Sequence, residues 1–334
     1  MHISVIGSGG WGTAIAKLLN ENGHDVMLWS WKKEESESIR FHRENKEFLP
    51  GVILPATIHY TWDAKTAVEN QDLIVLSLPS HAIRSTLKSM ASFLPKNQAV
   101  VNLSKGLEDD SLKRLSEVIS EEWPSARVAV LSGPSHAEEV GKGIPTTVVA
   151  SSEDSELCSM IQDAFISPVF RVYTNPDIIG VELGGAMKNV IALCAGVIDG
   201  MGYGDNTKAA MMTRGMVEIR RLGLAMGGLE STFNGLTGFG DLIVTCTSCH
   251  SRNHRAGVLI GQGKSPNEAI EEVHMVVEGV RAAKAGYLLS QKLGVEMPIV
   301  TNAYQMLFEN KSPKQAIYEL MTRTKKTEVE DALL

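Results

Sequence analysis

The chain has 334 residues, which at roughly 150 residues per domain predicts about two domains. Hydrophobic residues make up 43% and charged residues 21%, an ordinary globular composition that excludes disorder as the state of most of the chain. The 32 Lys and Arg against 39 Asp and Glu give a net charge of −7, which argues against general nucleic-acid binding. A negative total still allows a local basic pocket.

The uninterrupted apolar runs are short. Examples such as 73–78 and 191–198 fall far below the roughly 18 residues that a membrane span needs, so we expect no span. Met1 is followed within a few residues by glycines, with no basic segment and no cleavage site typical of a secretory signal. Four cysteines do not indicate a disulfide scaffold. We therefore expect a cytoplasmic protein with reduced thiols.

The first half of the chain alternates short apolar runs with longer amphipathic stretches. Several of the runs are apolar on both faces, which is typical of strands in a parallel sheet that helices cover on both sides. We predict strands at 2–6, 25–29, 73–78, 99–103, 128–131, 146–150 and 169–173. This pattern predicts an α/β fold with a doubly wound sheet of the Rossmann type, in which the last two strands form the far edge.

After Asn175-Pro176 the pattern changes to long helical spacings with almost no strand-like alternation. We predict helices at 178–198, 208–226, 266–273, 279–293, 299–308 and 313–322. The sequence thus predicts two domains: an N-terminal dinucleotide-binding Rossmann domain over 1–177 and a C-terminal all-helical substrate-binding domain over 178–334.

Residues 7–12 read GSGGWG, the spacing G-x-G-x-x-G, between a predicted strand and a predicted helix. With a second strand at 25–29, the motif lies in the context that a dinucleotide site requires. In such a loop Gly7 permits the tight turn, Gly9 lets a pyrophosphate approach the backbone, and Gly12 lets the helix pack closely on the strand. The helix N-terminus adds free N–H groups and positive dipole. The alternative is a glycine-rich turn that binds nothing.

The end of the second strand indicates which cofactor is preferred. An NAD-binding fold usually has Asp or Glu there to accept a hydrogen bond from the ribose 2′-hydroxyl. This chain has Trp31, Lys32 and Lys33 instead, with Glu34 and Glu35 only afterwards. Two lysines without a carboxylate favour NADP over NAD. The alternative is a pair of solvated lysines at a helix start.

Two lysines stand in unusual places. Lys105 directly follows the strand 99–103, and the carboxyl ends of strands face the ligand crevice in open α/β sheets. Lys188 lies inside an apolar helical pattern, where a cation needs an explanation. The alternative for Lys188 is a side chain that extends its ammonium group to solvent.

Seven segments together carry a family resemblance. They are GSGGWGTA at 7–14, NLSKGLE at 102–108, SGPSHAEEV at 132–140, ELGGAMKNVIAL at 182–193, GLTGFGDLIVTCTS at 235–248, SRN at 251–253 and GQG at 261–263. In this combination and order the chain resembles the NAD(P)-dependent glycerol-3-phosphate dehydrogenases of the bacterial type. The segments span nearly the whole chain, and several are specific to that family rather than general to Rossmann proteins.

The resemblance implies reversible reduction of dihydroxyacetone phosphate to sn-glycerol 3-phosphate with NAD(P)H, a reaction that feeds glycerophospholipid synthesis. It implies that Lys188 is the general acid in reduction and the base in the reverse direction, with Lys105 and Asp241 beside it. The position of Trp31 departs from the family, where a basic residue or His is more common, although an indole there could stack on adenine. On general grounds we also expect a homodimer.

The resemblance also implies two sets of contacts. Those to the phosphorylated substrate are Lys105, Gly133, Ser135, Lys188, Asn189, Asp241, Thr245, Ser251, Arg252 and Asn253. Those to the cofactor, with the motif residues included, are Gly7, Gly9, Gly10, Trp11, Gly12, Trp31, Lys32, Lys105, Ala137, Arg252, Val276 and Glu278.

Elementary chemistry agrees with this assignment. A ketone that becomes an alkoxide needs a proton donor and positive charge at its oxygen. A phosphate-bearing substrate needs donors of the kind that Arg252 and Asn253 supply. Two lysines near one site would lower each other's pKa, and Asp241 could hold Lys188 in place. The alternative for Asp241, which follows Gly-Phe-Gly, is a helix N-cap.

One motif points elsewhere. Residues 246–250 read C-T-S-C-H, a haem-attachment pattern, and His254 adds a possible zinc ligand. Covalent haem attachment of that kind would require export, which nothing in the sequence indicates. Four zinc ligands from this segment would distort the stretch that also holds Arg252 and Asn253. We therefore predict no metal and no nucleic-acid or membrane partner.

Two rival functions remain open on the sequence. The first is a dehydrogenase of similar layout acting on a hydroxy acid such as 6-phosphogluconate, which shares a helix-borne Lys-Asn pair but is disfavoured by the segment 235–253. The second is a nucleotide-sensing protein without catalysis, which the presence of Lys188, Asn189, Asp241 and Arg252 disfavours.

Overall fold

The computed structural model describes residues 1–325 and 327–328, so the last residues of the predicted helical domain lie outside the described part. Eight strands form one sheet. They are β1 His2–Ile6, β2 Asp25–Trp29, β3 His59–Thr61, β4 Leu73–Leu76, β5 Ala99–Asn102, β6 Arg127–Ser132, β7 Thr146–Ser151 and β8 Phe170–Asn175. All seven strands predicted from the sequence are present, within three residues of the predicted bounds. Only the short β3 was missed.

The strand order is β3-β2-β1-β4-β5-β6-β7-β8. The first six strands pair in parallel in the order 3-2-1-4-5-6 of a doubly wound dinucleotide-binding sheet, which confirms the predicted fold class. β7 and β8 form the far edge, as expected, and pair in parallel with each other. The expectation of a purely parallel sheet is wrong at one place, because β6 and β7 are antiparallel.

The antiparallel pair has a local cause. A parallel connection needs a crossover that returns the chain to the opposite end of the sheet. Between Ser132 and Thr146 the chain has only the short α6, Ala137–Gly141, whose first residue packs beside Gly10 at the end where β6 finishes. The chain therefore re-enters the sheet from the same end.

Helices cover both faces of the sheet. In chain order they are α1 Gly10–Glu21, α2 Lys33–His42, α3 Ala64–Val68, α4 Ile83–Met90, α5 Leu115–Glu122, the short α6, and α7 Ser155–Phe165. Side chains alternate along each strand, so β1 sends Ile3 and Val5 into one core, with α1 and α7, and Ile6 into the other, with α3 to α5.

The rest of the described chain is helical. The helices are α8 Ile178–Gly200, α9 Asp205–Ala225, α10 Glu230–Phe233, α11 Asp241–Thr247, α12 Arg252–Gly261, α13 Pro266–Val273, α14 Glu278–Leu293, α15 Pro298–Phe308 and α16 Pro313–Met321. A π-helical turn, Leu236–Gly240, leads into α11. All six helices predicted here are present, but the sequence analysis placed none over 230–261.

α8 is the central helix of this half. It is the one helix among the described residues that is long and apolar enough to cross a membrane by length and composition, and 89% of the relevant window is buried inside the protein. The sequence analysis considered uninterrupted apolar runs, whereas α8 reaches this length because its apolar segments are joined across a few polar residues and glycines. The helix instead has the burial of a core helix, with partners on every side.

α12 lies directly against α8 along a seam of four glycines. A Cβ atom built on Gly196 would lie 2.0 Å from the carbonyl oxygen of His254, and one on Gly257 would lie 2.0 Å from that of Leu193. Gly200 and Gly261, one turn further along each helix, are blocked in the same way at 2.2 and 2.3 Å. The two backbones touch because no side chain separates them, as in other small-residue helix crossings.

Candidate active site

The glycine-rich loop has the shape that its sequence predicted. Gly7 has φ +114°, and a Cβ atom there would lie 2.3 Å from the carbonyl oxygen of Ser77. A Cβ atom on Gly12 would lie 1.9 Å from the carbonyl oxygen of Gly7. Both positions therefore exclude any side chain. Gly7 does so because of the turn that the chain makes there, and Gly12 because α1 packs closely on the end of β1.

Gly9 differs from its neighbours because it faces open space. A Cβ atom there would meet nothing within 4 Å, and Gly9 is the N-cap of α1 with no side chain to bond the first amides. Gly10 closes one wall against the carbonyl oxygen of Phe48, at 2.5 Å from an added Cβ, and against Ala137, at 3.7 Å. An uncapped helix N-terminus behind an open glycine fits a dinucleotide pyrophosphate. Trp11, half-buried, packs against the adjacent core.

The ribose end of this site contains both charge signs. Trp31 is 67% exposed and meets Trp29 edge to face at 6.1 Å. Lys32 and Lys33 are exposed, and the Lys33 ammonium lies 4.9 Å from the Trp62 ring centroid and 3.7 Å from a Glu37 carboxylate oxygen. α2, however, brings the carboxylate of Glu35 back to the glycine loop, where it accepts a hydrogen bond from the Ser8 hydroxyl at 2.5 Å. Glu35 follows the strand by six residues, so the strand end alone did not reveal it.

Two lysines converge on one carboxylate. The sequence analysis expected two lysines at one site and Asp241 beside Lys188, but not the bond from Lys105 to Asp241. Lys188 on α8 is 5% exposed and donates to Asp241 and, at 2.8 Å, to the Thr245 hydroxyl, both on α11. Lys105 donates to the other Asp241 oxygen at 2.6 Å and to the carbonyl oxygen of Gly133 at 2.8 Å. Asp241 is the first residue of α11, whose N-cap is Gly240, and both of its side-chain oxygens accept hydrogen bonds from the lysines. Asp241 therefore does not cap the helix, and the N-cap alternative is wrong.

This cluster shifts the pKa of its members. Burial, against the opposing effect of Asp241 and with a smaller contribution from Lys105, lowers the pKa of Lys188 to about 7. Burial also opposes ionisation of Asp241, but the two ammonium groups outweigh it and lower the pKa of its carboxyl. The expected effect of one lysine on the other is present, although burial is the larger cause.

The segment after β6 lines the cluster. Gly133 has φ +134° and presents its carbonyl oxygen to Lys105, while the Ser135 hydroxyl bonds to that same oxygen at 2.9 Å. His136 follows, with its Nε2 buried and without a hydrogen-bond partner among the described residues. Burial and then the two nearby lysines lower its pKa, so the imidazole is neutral near pH 7.

Two asparagines assigned to the substrate are engaged with each other. Asn253 on α12 donates to the side-chain oxygen of Asn189 at 2.8 Å, and its own oxygen accepts from the Gly279 amide at 2.8 Å. Both side chains are buried, at 8% and 5% exposure. Ser251 caps α12 by accepting from the His254 amide at 3.2 Å. These residues align three helices at the site.

Arg252 is in a different position. It is exposed and makes no hydrogen bond or ion pair within the described residues. Its guanidinium is therefore available to an anion. Glu278, at the start of α14, crosses to the other half of the molecule and accepts from the Ser80 amide at 3.1 Å and hydroxyl at 2.7 Å. Val276 lies two residues before it and is half-buried.

The cysteine-histidine segment does not assemble. Cys246 is fully buried inside α11, where burial raises the pKa of its thiol to about 12, whereas Cys249 is exposed. His254 pairs with Asp199 at 2.7 Å. Over the described ranges 1–325 and 327–328, no three His, Cys, Asp or Glu side chains gather as metal ligands. A thiol with so high a pKa is a poor metal ligand, since metals bind the thiolate.

Sequence reasoning missed several residues near the cluster. Ser132 has a buried hydroxyl without a partner in the described chain, and an added Cβ on Gly185 would lie 2.7 Å from it. Glu182, one turn before Gly185, is buried and bonded to Arg114 and Ser116. Glu182 lies within a segment that the resemblance quoted, but nothing in the local sequence names its distant partners.

A Rossmann sheet with an open glycine loop, joined to a helical half that buries a lysine beside its crevice, defines the class of dinucleotide-dependent dehydrogenases. Comparison with known proteins narrows the class. The family model described as NAD-dependent glycerol-3-phosphate dehydrogenase N-terminus matches residues 2–158, and its C-terminus counterpart matches 177–318. The chain belongs to the NAD-dependent glycerol-3-phosphate dehydrogenase family and is an oxidoreductase.

Individual relatives agree over their whole length. A glycerol-3-phosphate dehydrogenase [NAD(P)+] of Fusobacterium nucleatum is 57% identical over 332 residues, covering 99% of both chains. The protein of that name from Desulfitobacterium hafniense is 54% identical and covers 99% of this chain and 94% of its own. The crystal structure of glycerol-3-phosphate dehydrogenase from Coxiella burnetii superimposes with a TM-score of 0.93 at 35% identity, over 96% of this chain and 99% of that one.

Proposed function

We propose that the protein interconverts dihydroxyacetone phosphate and sn-glycerol 3-phosphate with NAD(P)H or NAD(P)+, and that it works mainly toward glycerol 3-phosphate for glycerophospholipid synthesis. The observation that carries this proposal is the buried Lys188–Asp241–Lys105 cluster. Relatives at 54 and 57% identity bear the corresponding enzyme name over their full length.

Lys188 is the proton donor in reduction. When bound, the nicotinamide supplies hydride to the carbonyl carbon of the substrate, which leaves negative charge on the carbonyl oxygen. The Lys188 ammonium gives a proton to that oxygen and becomes a neutral amine, which regains a proton from water. Burial makes this transfer favourable at neutral pH, because it lowers the pKa of Lys188 to about 7. In the reverse direction the neutral amine takes the hydroxyl proton.

Asp241 and Lys105 prepare that donor. Asp241 holds both ammonium groups, so Lys188 has a fixed direction and keeps one N–H bond for the substrate. Lys105 adds positive charge beside the developing alkoxide. The Thr245 hydroxyl donates to the Asp241 backbone carbonyl at 2.6 Å and therefore accepts from Lys188. Asp241 and Thr245 together fix two N–H bonds of the Lys188 ammonium group, and these set the direction of the third, which is left for the substrate.

The substrate phosphate binds at the start of α12. Arg252 offers unengaged guanidinium donors there, and the α12 N-terminus carries positive dipole. Ser135 and Ser251 contribute hydroxyl groups, while Asn189 and Asn253 align the helices and orient the substrate hydroxyls. Gly133 supplies its carbonyl oxygen to Lys105.

The dinucleotide binds along the glycine loop. The amides of Gly10, Trp11 and Gly12 face its pyrophosphate, Ala137 forms the opposite wall, and Trp31 with Lys32 meets the adenosine end. Arg252, Val276 and Glu278 approach the cofactor from the helical half. We infer a preference for NADPH over NADH from the two lysines after β2. The preference is limited by the negative charge of Glu35, whose carboxylate is bonded to Ser8 in the glycine loop.

We further infer a cytoplasmic homodimer with no nucleic-acid partner, on the composition and net charge and on general grounds of symmetry. We place the domain boundary between 177 and 178, because the chain leaves the sheet at Asn175 and enters α8 at Ile178. The proposed second domain runs from 178 to 334, and its last residues lie outside the described part of the chain.

A turnover assay with three substrates tests the function. The protein is mixed with NADPH and dihydroxyacetone phosphate, and in the opposite direction with NADP+ and either sn-glycerol 3-phosphate or 6-phosphogluconate. We expect turnover with the first two substrates and none with the third. Turnover of 6-phosphogluconate alone would favour the other dehydrogenase, and cofactor binding without any turnover would favour a nucleotide sensor.

A further inference from the structure

The loop that carries Lys105 is fastened to the helix that carries Lys188 by a buried carboxylate that takes no direct part in the chemistry. Glu182 on α8 accepts from the Arg114 guanidinium at 2.7 Å, the Ser116 amide at 2.8 Å and the Ser116 hydroxyl at 2.5 Å. Residues 103–114 connect β5 to α5, so Arg114 closes the loop that Lys105 opens.

The Glu182 contact lies on the same face of α8 as Lys188. Residues three apart lie on one face of a helix, so Glu182, Gly185 and Lys188 form a row. Arg114 meets the row at Glu182. The stem of Lys105 crosses it at Gly185, where an added Cβ would lie 3.6 and 3.7 Å from the Lys105 Cγ and Cδ atoms. The Lys105 ammonium then meets Lys188 through their shared Asp241.

The loop also has outer attachments, which are more exposed. Arg84 on α4 holds Glu108 with two hydrogen bonds, at 2.6 and 2.8 Å, and Arg281 on α14 holds Asp109. Arg84 is 25% exposed and Arg281 35%, against 5% for Glu182. Solvent screens the Arg281–Asp109 pair more than the buried Glu182 contact. The bidentate Arg84–Glu108 pair is less exposed, but it holds the loop to α4 and not to α8.

A buried ion pair is a costly way to gain stability, because apolar side chains of similar size stabilise as well or better. Burial raises the pKa of Glu182, against the effects of Arg114 and Ser116. A carboxyl group that accepts hydrogen bonds with both oxygens in such a place is better explained by the geometry that it fixes than by the free energy that it adds.

We propose that Glu182 is a positioning residue for catalysis: through Arg114 and Ser116 it sets where the Lys105 loop lies on α8, and so where Lys105 stands relative to Lys188 and Asp241. This inference rests on the proposed function. Glu182 itself touches neither Lys105 nor Lys188, so its effect passes entirely through the loop.

The matched pair of variants is Glu182→Gln and Glu218→Gln. Glu218 on α9 is 2% exposed and, like Glu182, accepts from amides at a helix N-terminus, those of Ile299 and Val300 at 2.8 and 3.1 Å. It does not contact the Lys105 loop. Both variants lose one buried carboxylate that binds a helix start, so a purely structural effect should appear in both.

Four measurements distinguish positioning from stability. For Glu182→Gln we expect kcat to fall roughly 10- to 100-fold, the range for small misplacement of a catalytic group, with Kd for NADPH unchanged. We expect faster amide hydrogen exchange over 103–114 and an activity profile shifted to higher pH. For Glu218→Gln we expect kcat, the exchange over 103–114 and the pH profile to stay as in the parent protein, even if its Tm falls.

The pH shift has a stated cause. The groups facing Lys188 are Asp241 and Cys246 from α11, His136 from the start of α6, and Lys105 from the loop. Of these groups, only Lys105 lies on the loop that Glu182 fastens to α8. The Lys105 ammonium lowers the pKa of Lys188. Freeing the loop therefore lets that pKa rise.

If Glu182→Gln does not fold, Ser116→Ala removes the hydroxyl that donates to Glu182 and accepts from Arg114, and it should give smaller changes of the same sign. Unchanged exchange over 103–114, or changed exchange with kcat and the pH profile intact, would overturn the proposal. Hydrogen exchange does not depend on which lysine donates the proton. Failure of the proposed function, seen as no turnover of dihydroxyacetone phosphate by the parent protein, is therefore separable from failure of this inference, seen as unchanged exchange over 103–114.

Discussion

The glycine loop and the lysine cluster prepare for negative charge by opposite means. The loop uses the free backbone amides at the start of α1, where a Cβ atom on Gly9 would meet nothing within 4 Å. The cluster uses side chains of Lys105, Lys188 and Asp241, which the fold brings together from three elements far apart in the sequence. The loop is therefore fixed by local backbone shape, whereas the cluster depends on how the two halves of the chain are held.

This difference predicts different responses to mutation. A fault in the loop should appear as weaker cofactor binding, because its donors act on the ground state. A fault in the cluster should appear as slower turnover, because its charge matters most as the alkoxide forms.

The largest effect is expected for Lys188→Met. The variant keeps the apolar stem but removes the proton donor, so turnover should fall roughly 10²- to 10⁴-fold while NADPH binding stays intact. Steady-state kinetics with a fluorescence titration of NADPH measures both. Turnover near the normal rate would show that Lys188 is not the donor, and Lys105 would become the candidate.

Within the loop, Gly9→Ala and Gly12→Ala should separate binding from folding. The Gly9 methyl meets no protein atom within 4 Å, so Tm should hold while the affinity for NADPH falls roughly ten- to a hundredfold, through loss of one charge-assisted hydrogen bond. The Gly12 methyl would lie 1.9 Å from the Gly7 oxygen and should lower Tm as well. Equal affinity for Gly9→Ala and the parent would exclude close phosphate approach at Gly9.

The adenosine end of the loop region should favour NADPH. One hydrogen bond from Lys32 or Lys33 to a 2′-phosphate contributes on the order of 1.5–3 kcal/mol, hence roughly ten- to a hundredfold in kcat/KM over NADH, with NADH still accepted. Glu35→Gln should widen the preference, because it removes the carboxylate bonded to Ser8. Its control is Glu34→Gln, an exposed neighbour. Equal kcat/KM values for the two cofactors would refute the preference.

The cluster should also respond to pH in opposite ways for the two directions. Reduction needs protonated Lys188, so its rate should fall about tenfold per pH unit above the pKa near 7, whereas oxidation should rise up to that pKa. Because this pKa lies below the unfolded value of 10.5, the unfolded chain binds more protons between these values, and stability should rise with pH across that window. Lys188→Met should lose both dependences. A profile without a limb near neutral pH would contradict the assignment.

The smallest effect is expected for metal removal. The segment 246–254 serves the substrate site in our proposal, so a chelator should leave activity unchanged and elemental analysis should find no zinc. About one zinc per chain, with activity lost on chelation, would contradict this and make the segment a metal site.

The fold was largely predictable because its signals are local. Apolar runs marked seven strands and helical spacing marked six helices. β3 was missed because it has only three residues, His59–Thr61, with no apolar alternation. The helices over 230–261 were missed because the glycine-rich LTGFG suggests a loop, whereas those glycines allow a π-helical turn packed against Phe233 and α8.

The site was predictable where a residue type was out of place. Lys188 in an apolar helix and Lys105 at a strand end both drew attention, and Asp241 followed from the family resemblance. The partners that depend on long-range packing were not predictable. Asn189 with Asn253, Glu182 with Arg114 and Glu35 with Ser8 are ordinary polar residues until the fold pairs them.

The glycine seam between α8 and α12 has a consequence for how this sequence can change. At Gly196, Gly200, Gly257 and Gly261 even one methyl group would wedge the helices apart, and α12 begins at Arg252. A side chain at any of the four positions would displace α12 from α8 and would carry Arg252 with it. The place of the proposed phosphate-binding guanidinium therefore depends on four positions that have no side chain.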